Sequence, residues 1–128
     1  MNKIVQERYC SPKVARLLAS KGFDIICDKV YGDKDEYLQP IEFRANLEGK
    51  GFIPAPTQQM AIDWLIVKYD IYIEVFPYSK DEYAFSISKL LPEDVEGYPL
   101  PNEEESYKDI RVATDTALEY VLENLIEV

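Results

Sequence analysis

The sequence predicts an α+β fold in a single domain, residues 1–128, and three observations carry that prediction. Two stretches, Ser11 to Tyr31 and Thr57 to Tyr78, each run a capped, apolar-faced helix directly into a segment of alternating residues. Each is followed by the same tetrapeptide, Lys34-Asp35-Glu36-Tyr37 and Lys80-Asp81-Glu82-Tyr83, placed where a hairpin turns into its second strand. The chain then closes on a segment of helical period. The expected architecture is two helix–hairpin (αββ) units, residues 11–44 and 57–90, followed by a closing helix over 106–126. Roughly four strands would form one antiparallel sheet carrying the helices on one face.

Each element has a local cause. Residues 1–10 show no periodicity and are expected to form a loosely held arm or a short edge segment. Ser11 can cap, Pro12 suits the first helical position, and Val14, Ala15, Leu17 and Leu18 give an apolar face that Gly22 terminates. Asp24 to Tyr31 alternates with two mixed faces and predicts a strand, Gly32 to Asp35 a turn, and Tyr37 to Arg44 a returning strand. Pro40 cannot donate to a ladder, which demotes that strand to an edge or a bulge. Ala45 to Pro56, with two Gly and two Pro, reads as a connecting loop.

The central helix is predicted from a Thr57 cap to about Tyr69. Met60, Ala61, Ile62, Trp64, Leu65, Ile66 and Val67 wrap most of its circumference, leaving Gln58, Gln59, Asp63 and Lys68 polar, so it should be covered on most sides with Trp64 as core anchor. Ile71 to Pro77 and Tyr83 to Leu90 alternate as the two strands of a hairpin, and Pro92 ends the second. Residues 92–105, with three Pro and six acids, predict an exposed loop. Ser106, with Asp109 three residues on, resembles a capping box ahead of Ile110, Ala113, Ala117, Leu118, Val121 and Leu122 at helical spacing.

A shift of 46 residues aligns the two units without a gap: Ser11 on Thr57, Val14 on Met60, Ala15 on Ala61, Leu18 on Trp64 and one KDEY on the other. Self-similarity at a fixed offset marks a repeated supersecondary unit.

Composition excludes more chemistry than it indicates. The chain has no His, which removes the commonest general base and metal ligand, and no CxxC pair replaces it. Its five Gly form no phosphate-cradling motif, and no cofactor or metal is expected. Of the two Cys, Cys27 reads as a small buried hydrophobe, while Cys10, just before a helix start, is the candidate nucleophile. Asp33, Asp35 and Glu36 read as a solvated turn, because the spacing of a calcium loop does not follow them. Without an apolar run of spanning length or a signal-peptide core, the expectation is a cytoplasmic protein with no membrane association.

The net charge of −10 is unevenly spread, with nine Lys or Arg against eight acids over residues 1–56 and five against sixteen over residues 57–128. Such a balance opposes direct nucleic-acid binding and favours a partner with a basic surface. The candidate partner-binding residues are the aromatics Tyr72, Phe76 and Tyr78 and the acidic tract Glu103, Glu104 and Glu105. A homodimer through an apolar helix face is a further expectation.

With APTQQMAIDWL at residues 55–65 and SPKVARLLASKGFD at residues 11–24, the chain resembles small uncharacterised proteins of gut-bacterial prophage and mobile-element gene clusters, from about Tyr9 to the final helix. That resemblance implies a context and brings no catalytic residues. The leading functional expectation is a non-enzymatic accessory protein of a phage or mobile element that acts by binding another protein. One alternative is an acidic nucleic-acid mimic that occupies a DNA-binding protein. The other is an enzyme dependent on carboxylates or on Cys10.

Overall fold

The computed structural model describes residues 7–32, 38–40, 52–100 and 106–126. Ser11 accepts the Val14 N–H at 3.2 Å and opens α1, Pro12–Ser20, which buries Val14, Ala15 and Leu18 and ends at Gly22 with φ 92°. The chain continues through β1, Lys29–Tyr31, β2, Leu38–Pro40, and β3, Ile53–Pro54. Thr57 accepts the Met60 N–H at 3.1 Å and opens α2, Gln58–Tyr69, whose last turn ends on Asp70 in the left-handed region, φ 56°. The strands β4, Ile71–Ser79, and β5, Glu82–Leu90, form the long hairpin, and β6, Val95–Gly97, precedes α3, Ile110–Asn124.

The main core lies between the three helices and the inner face of the long hairpin. Leu18 of α1, Trp64 and Leu65 of α2, Ile71 and Ile73 of β4, Ile87 of β5, and Leu118 and Leu122 of α3 meet there. Full burial of each aliphatic side chain contributes roughly 1.5–3 kcal/mol. Phe23 and Tyr69 both pack edge-on against Trp64, with ring centroids 5.4 Å away, so the predicted anchor is observed. A smaller cluster of Ala15, Tyr31 and Ala55, with Ile53 against it, joins α1 to the short strands.

The α+β class holds, but the strands make two sheets rather than a single four-stranded one. Their orders are β2-β1-β3 and β4-β5-β6, all antiparallel. The extra strands come from the stretches read as loops. Val30 and Tyr31 pair with Pro54 and Ile53, and Leu90, Lys89 and Ser88 pair with Val95, Glu96 and Gly97 across a tight turn at Pro92–Glu93. Backbone pairing needs no side-chain alternation, so such short partners leave no periodic trace in the sequence. Each hairpin takes its third strand from a segment outside the other hairpin, so the two do not pair with each other.

Other boundaries move for identifiable reasons. Of the strand expected over 24–31 only Lys29–Tyr31 forms, and Ile25 and Ile26 are exposed. The closing helix begins at Ile110 with Asp109, not Ser106, as its cap, accepting the Arg111 N–H at 2.8 Å. Tyr107 exchanges both backbone bonds with Tyr83, at 2.7 and 2.8 Å, and an extended residue at 107 forbids a helix starting there. The coverage of α2 is less complete than its composition implies. Val67 is 86% exposed, while the supposedly polar Gln58 is buried. The first KDEY, the loop at 41–51 and Glu103–Glu105 lie outside the described residues.

Candidate functional site

Three places in the described structure bring polar or aromatic groups together. The first is the junction of the helix starts. Residues 8–10 run antiparallel to 56–58, with the Cys10 N–H on the Pro56 carbonyl and the Gln58 N–H on the Arg8 carbonyl, so the caps of α1 and α2 stand side by side. The buried Gln58 side chain accepts from Arg8 Nε at 3.2 Å and donates to the Arg111 carbonyl and to Asp115 Oδ1, both at 3.0 Å. The backbone N–H and hydroxyl of Ser11 also favour the charged form of the Asp115 carboxyl. Burial pushes the Asp115 carboxyl above its usual range, and these donors with Arg111 pull it partly back. An open cleft of about 680 Å³ adjoins it, walled by Tyr9, Tyr31 and Leu38. Every polar group that Gln58 offers is used within the protein, which makes this junction a brace between helices.

Cys10, the sequence candidate for a nucleophile, lies beside the brace and is fully buried. Burial, chiefly, and the charge of Asp115 push its thiol far up, the opposite of what a nucleophilic thiolate requires. Cys27 is also buried, its thiol raised to about 11 by desolvation and by Asp28. Among the described residues no group of three or more Cys, Asp or Glu could hold a metal ion. No helix among them is long and apolar enough to cross a membrane.

The second place is the outer face of the long hairpin. Alternation sends Ile71, Ile73 and Val75 to the core and Tyr72, Glu74 and Phe76 outward, opposite Ser88, Ser86 and Ala84. Tyr72 is 39% and Tyr78 56% exposed, and Phe76 is half-buried with its ring edge-on to Tyr78 at 5.7 Å. The aromatics of this stretch are divided, Tyr69 going to Trp64 and the core, and Tyr72, Phe76 and Tyr78 to the surface. Glu103, Glu104 and Glu105 are not among the described residues.

The third place, which sequence reasoning missed, is the free edge of β4. The Leu90 N–H donates to the Asp70 carbonyl at 2.7 Å, and the Tyr98 N–H to the Ile87 carbonyl at 2.9 Å. Backbone groups in an antiparallel ladder alternate in direction, so Tyr72, Glu74 and Phe76 bond to β5 while Ile73 and Val75 turn their N–H and C=O away from it. Pro77, which has no N–H, falls on that outward set, where the ladder to β5 loses nothing. No described residue bonds to the outward groups of Ile73 or Val75. Beside them runs an open groove of about 330 Å³, whose far wall is Ile62 of α2 and Ile110 and Thr114 of α3. An edge can be recognised only once strand order is known, and period-two patterning does not encode strand order.

No protein-family model, curated protein or solved structure matches the chain.

Proposed function

We propose that this chain is a non-enzymatic accessory protein, of the kind carried by phages and mobile elements, that works by binding another protein. The observation that carries the reading is the outer face of the long hairpin, which holds Tyr72, Phe76 and Tyr78 at the surface instead of in the core. Aromatic side chains bring large contact area with few rotatable bonds, and interfaces are enriched in them. The net charge of −10 supports a partner of basic surface through electrostatic steering. The same proposal treats residues 11–44 and 57–90 as two versions of one helix–hairpin unit, supported by N-terminal caps of nearly the same geometry 46 residues apart.

The test is affinity capture from the native host with the intact chain and with the double variant Tyr72→Ser and Tyr78→Ser. Both positions are exposed, so the variant should keep its thermal midpoint. A partner retained by the wild type, released by salt and lost with the variant supports the proposal. Equal recovery with both chains, or none with either, rejects it.

A further inference from the structure

We infer that the free edge of β4 and the groove beside it form a strand-addition site, which takes an extended segment of a partner protein bearing apolar and basic residues in alternation. The inference rests on the protein-binding reading and names its mode. An unpaired edge is a row of donors and acceptors at strand spacing, and an extended peptide satisfies them with its own backbone. Here Val75 offers an N–H and a C=O at the surface, Pro77 adds a carbonyl without a competing N–H, and Ile73, only 3% exposed, holds a further unpaired N–H and C=O deeper in the groove.

The side-chain pattern of the guest follows from the same geometry. Guest residues that bond to Ile73 and Val75 point to the same side of the sheet as those residues, into the groove against Ile62 and Ile110, and are therefore apolar. Guest residues between them emerge on the outer face beside Tyr72, Glu74 and Phe76. There Glu74 is exposed and holds no described ion pair, so a Lys or Arg opposite it makes a cross-strand pair of opposite charge. Arg8 stands on the helix side of the groove with its Nε on Gln58, which keeps a guest cation off that side. A second copy of the chain fits less well. Antiparallel pairing of β4 with itself through Ile73 and Val75 places Glu74 directly opposite Glu74, and like charges so placed repel.

The probe is a capped seven-residue peptide of alternating Val and Lys, tested against the intact chain by amide hydrogen exchange and by titration. In the free monomer the Val75 amide should exchange fast while those of Tyr72, Glu74 and Phe76 are protected, and the peptide should slow Val75 at least tenfold. N-methylation of the Val residues should weaken binding at least tenfold, and N-methylation of the Lys residues should leave it unchanged, because only the Val amides face the edge. Glu74→Lys leaves the backbone intact and should reverse the preference from the Val-Lys peptide to a Val-Glu peptide. Equal binding of the two methylated peptides overturns the inference. So does protection of Val75 without peptide, whether in a monomer, where the chain's own residues fill the edge, or in a dimer, where a second copy does. If these peptides fail while a partner sensitive to Tyr72→Ser and Tyr78→Ser is still captured, strand addition alone falls; if both fail, the protein-binding reading falls with it.

Discussion

The two helix–hairpin segments start alike and end differently. Ser11 and Thr57 adopt nearly the same backbone angles, and each accepts the N–H three residues on. Beyond the caps, α1 has nine residues against twelve for α2, and the strands that follow have three each against nine each. Even the registers are related: Tyr31↔Leu38 has the offset of Ser79↔Glu82, one residue from that of Pro77↔Tyr83, and the ladder irregularity between Pro77 and Ser79 makes the difference. Similar starting instructions thus yield a small satellite sheet in one half and the main sheet in the other. What separates them is burial. Ile71 enters the core, whereas Ile25, at the position that aligns with it, remains in solvent, and Cys27, aligned with Ile73, buries a much smaller side chain.

The largest test of this asymmetry is in the core. Trp64 and Leu18 occupy aligned positions, both buried, but Trp64 also packs against Phe23 and Tyr69. Trp64→Ala should destabilise by about 3–5 kcal/mol and Leu18→Ala by about 2–4. Urea unfolding at constant m-value measures both. A Leu18→Ala penalty equal to that of Trp64→Ala would mean that the halves share the core evenly.

The helix ends allow a finer test. Gly22 ends α1 at φ 92° with nothing within 4 Å of where a Cβ would stand, so Gly22→Ala meets only backbone strain and should destabilise by about 1–2 kcal/mol. Asp70 ends α2 at φ 56° with a side chain already in the left-handed region. Asp70→Gly relieves that strain but frees the unfolded chain, and the two effects should cancel to within about 0.5 kcal/mol. Thermal midpoints of the two variants should therefore move by clearly different amounts.

Much of this fold was legible because its signals are local. A hydroxyl ahead of an apolar-faced run marks a helix start, which located α1 and α2 to the residue. Alternation with opposed faces located β4 and β5. Gln58 was misread because its polarity was taken for exposure, when three partners distant in sequence satisfy it in the interior. Asp109 displaced Ser106 because Tyr107 is held to Tyr83, a contact between residues 24 apart in sequence. The site was legible in part: Tyr72 and Tyr78 stood out by type, but the edge beside Ile73 and Val75 follows from tertiary arrangement alone.

The smallest effect separates the caps themselves. Loss of either hydroxyl should destabilise by about 1 kcal/mol through its helix start. The Ser11 hydroxyl also favours the charged form of the Asp115 carboxyl, an influence for which Thr57 has no counterpart among the described contacts. Ser11→Ala should therefore exceed Thr57→Ala at neutral pH, by less than the roughly 0.5–1 kcal/mol of a full hydrogen bond. The excess should depend on pH with a definite sign. The folded-state pKa of Asp115 is raised above its unfolded value, so its ionised form weakens the fold, and stability rises as pH falls through that interval. Removing that influence on the carboxylate raises the folded pKa further, so the Ser11→Ala protein binds its proton earlier and recovers more stability on acidification. The gap between the two alanine variants should close as pH falls through the titration of Asp115, while the Thr57→Ala penalty relative to the wild type stays flat. Denaturant melts from neutral pH down to about pH 4, near the ordinary carboxylate range, measure this directly. A gap constant with pH would mean that Ser11 acts only as a cap, which would leave the two helix starts equivalent and the asymmetry of the halves wholly in their strands.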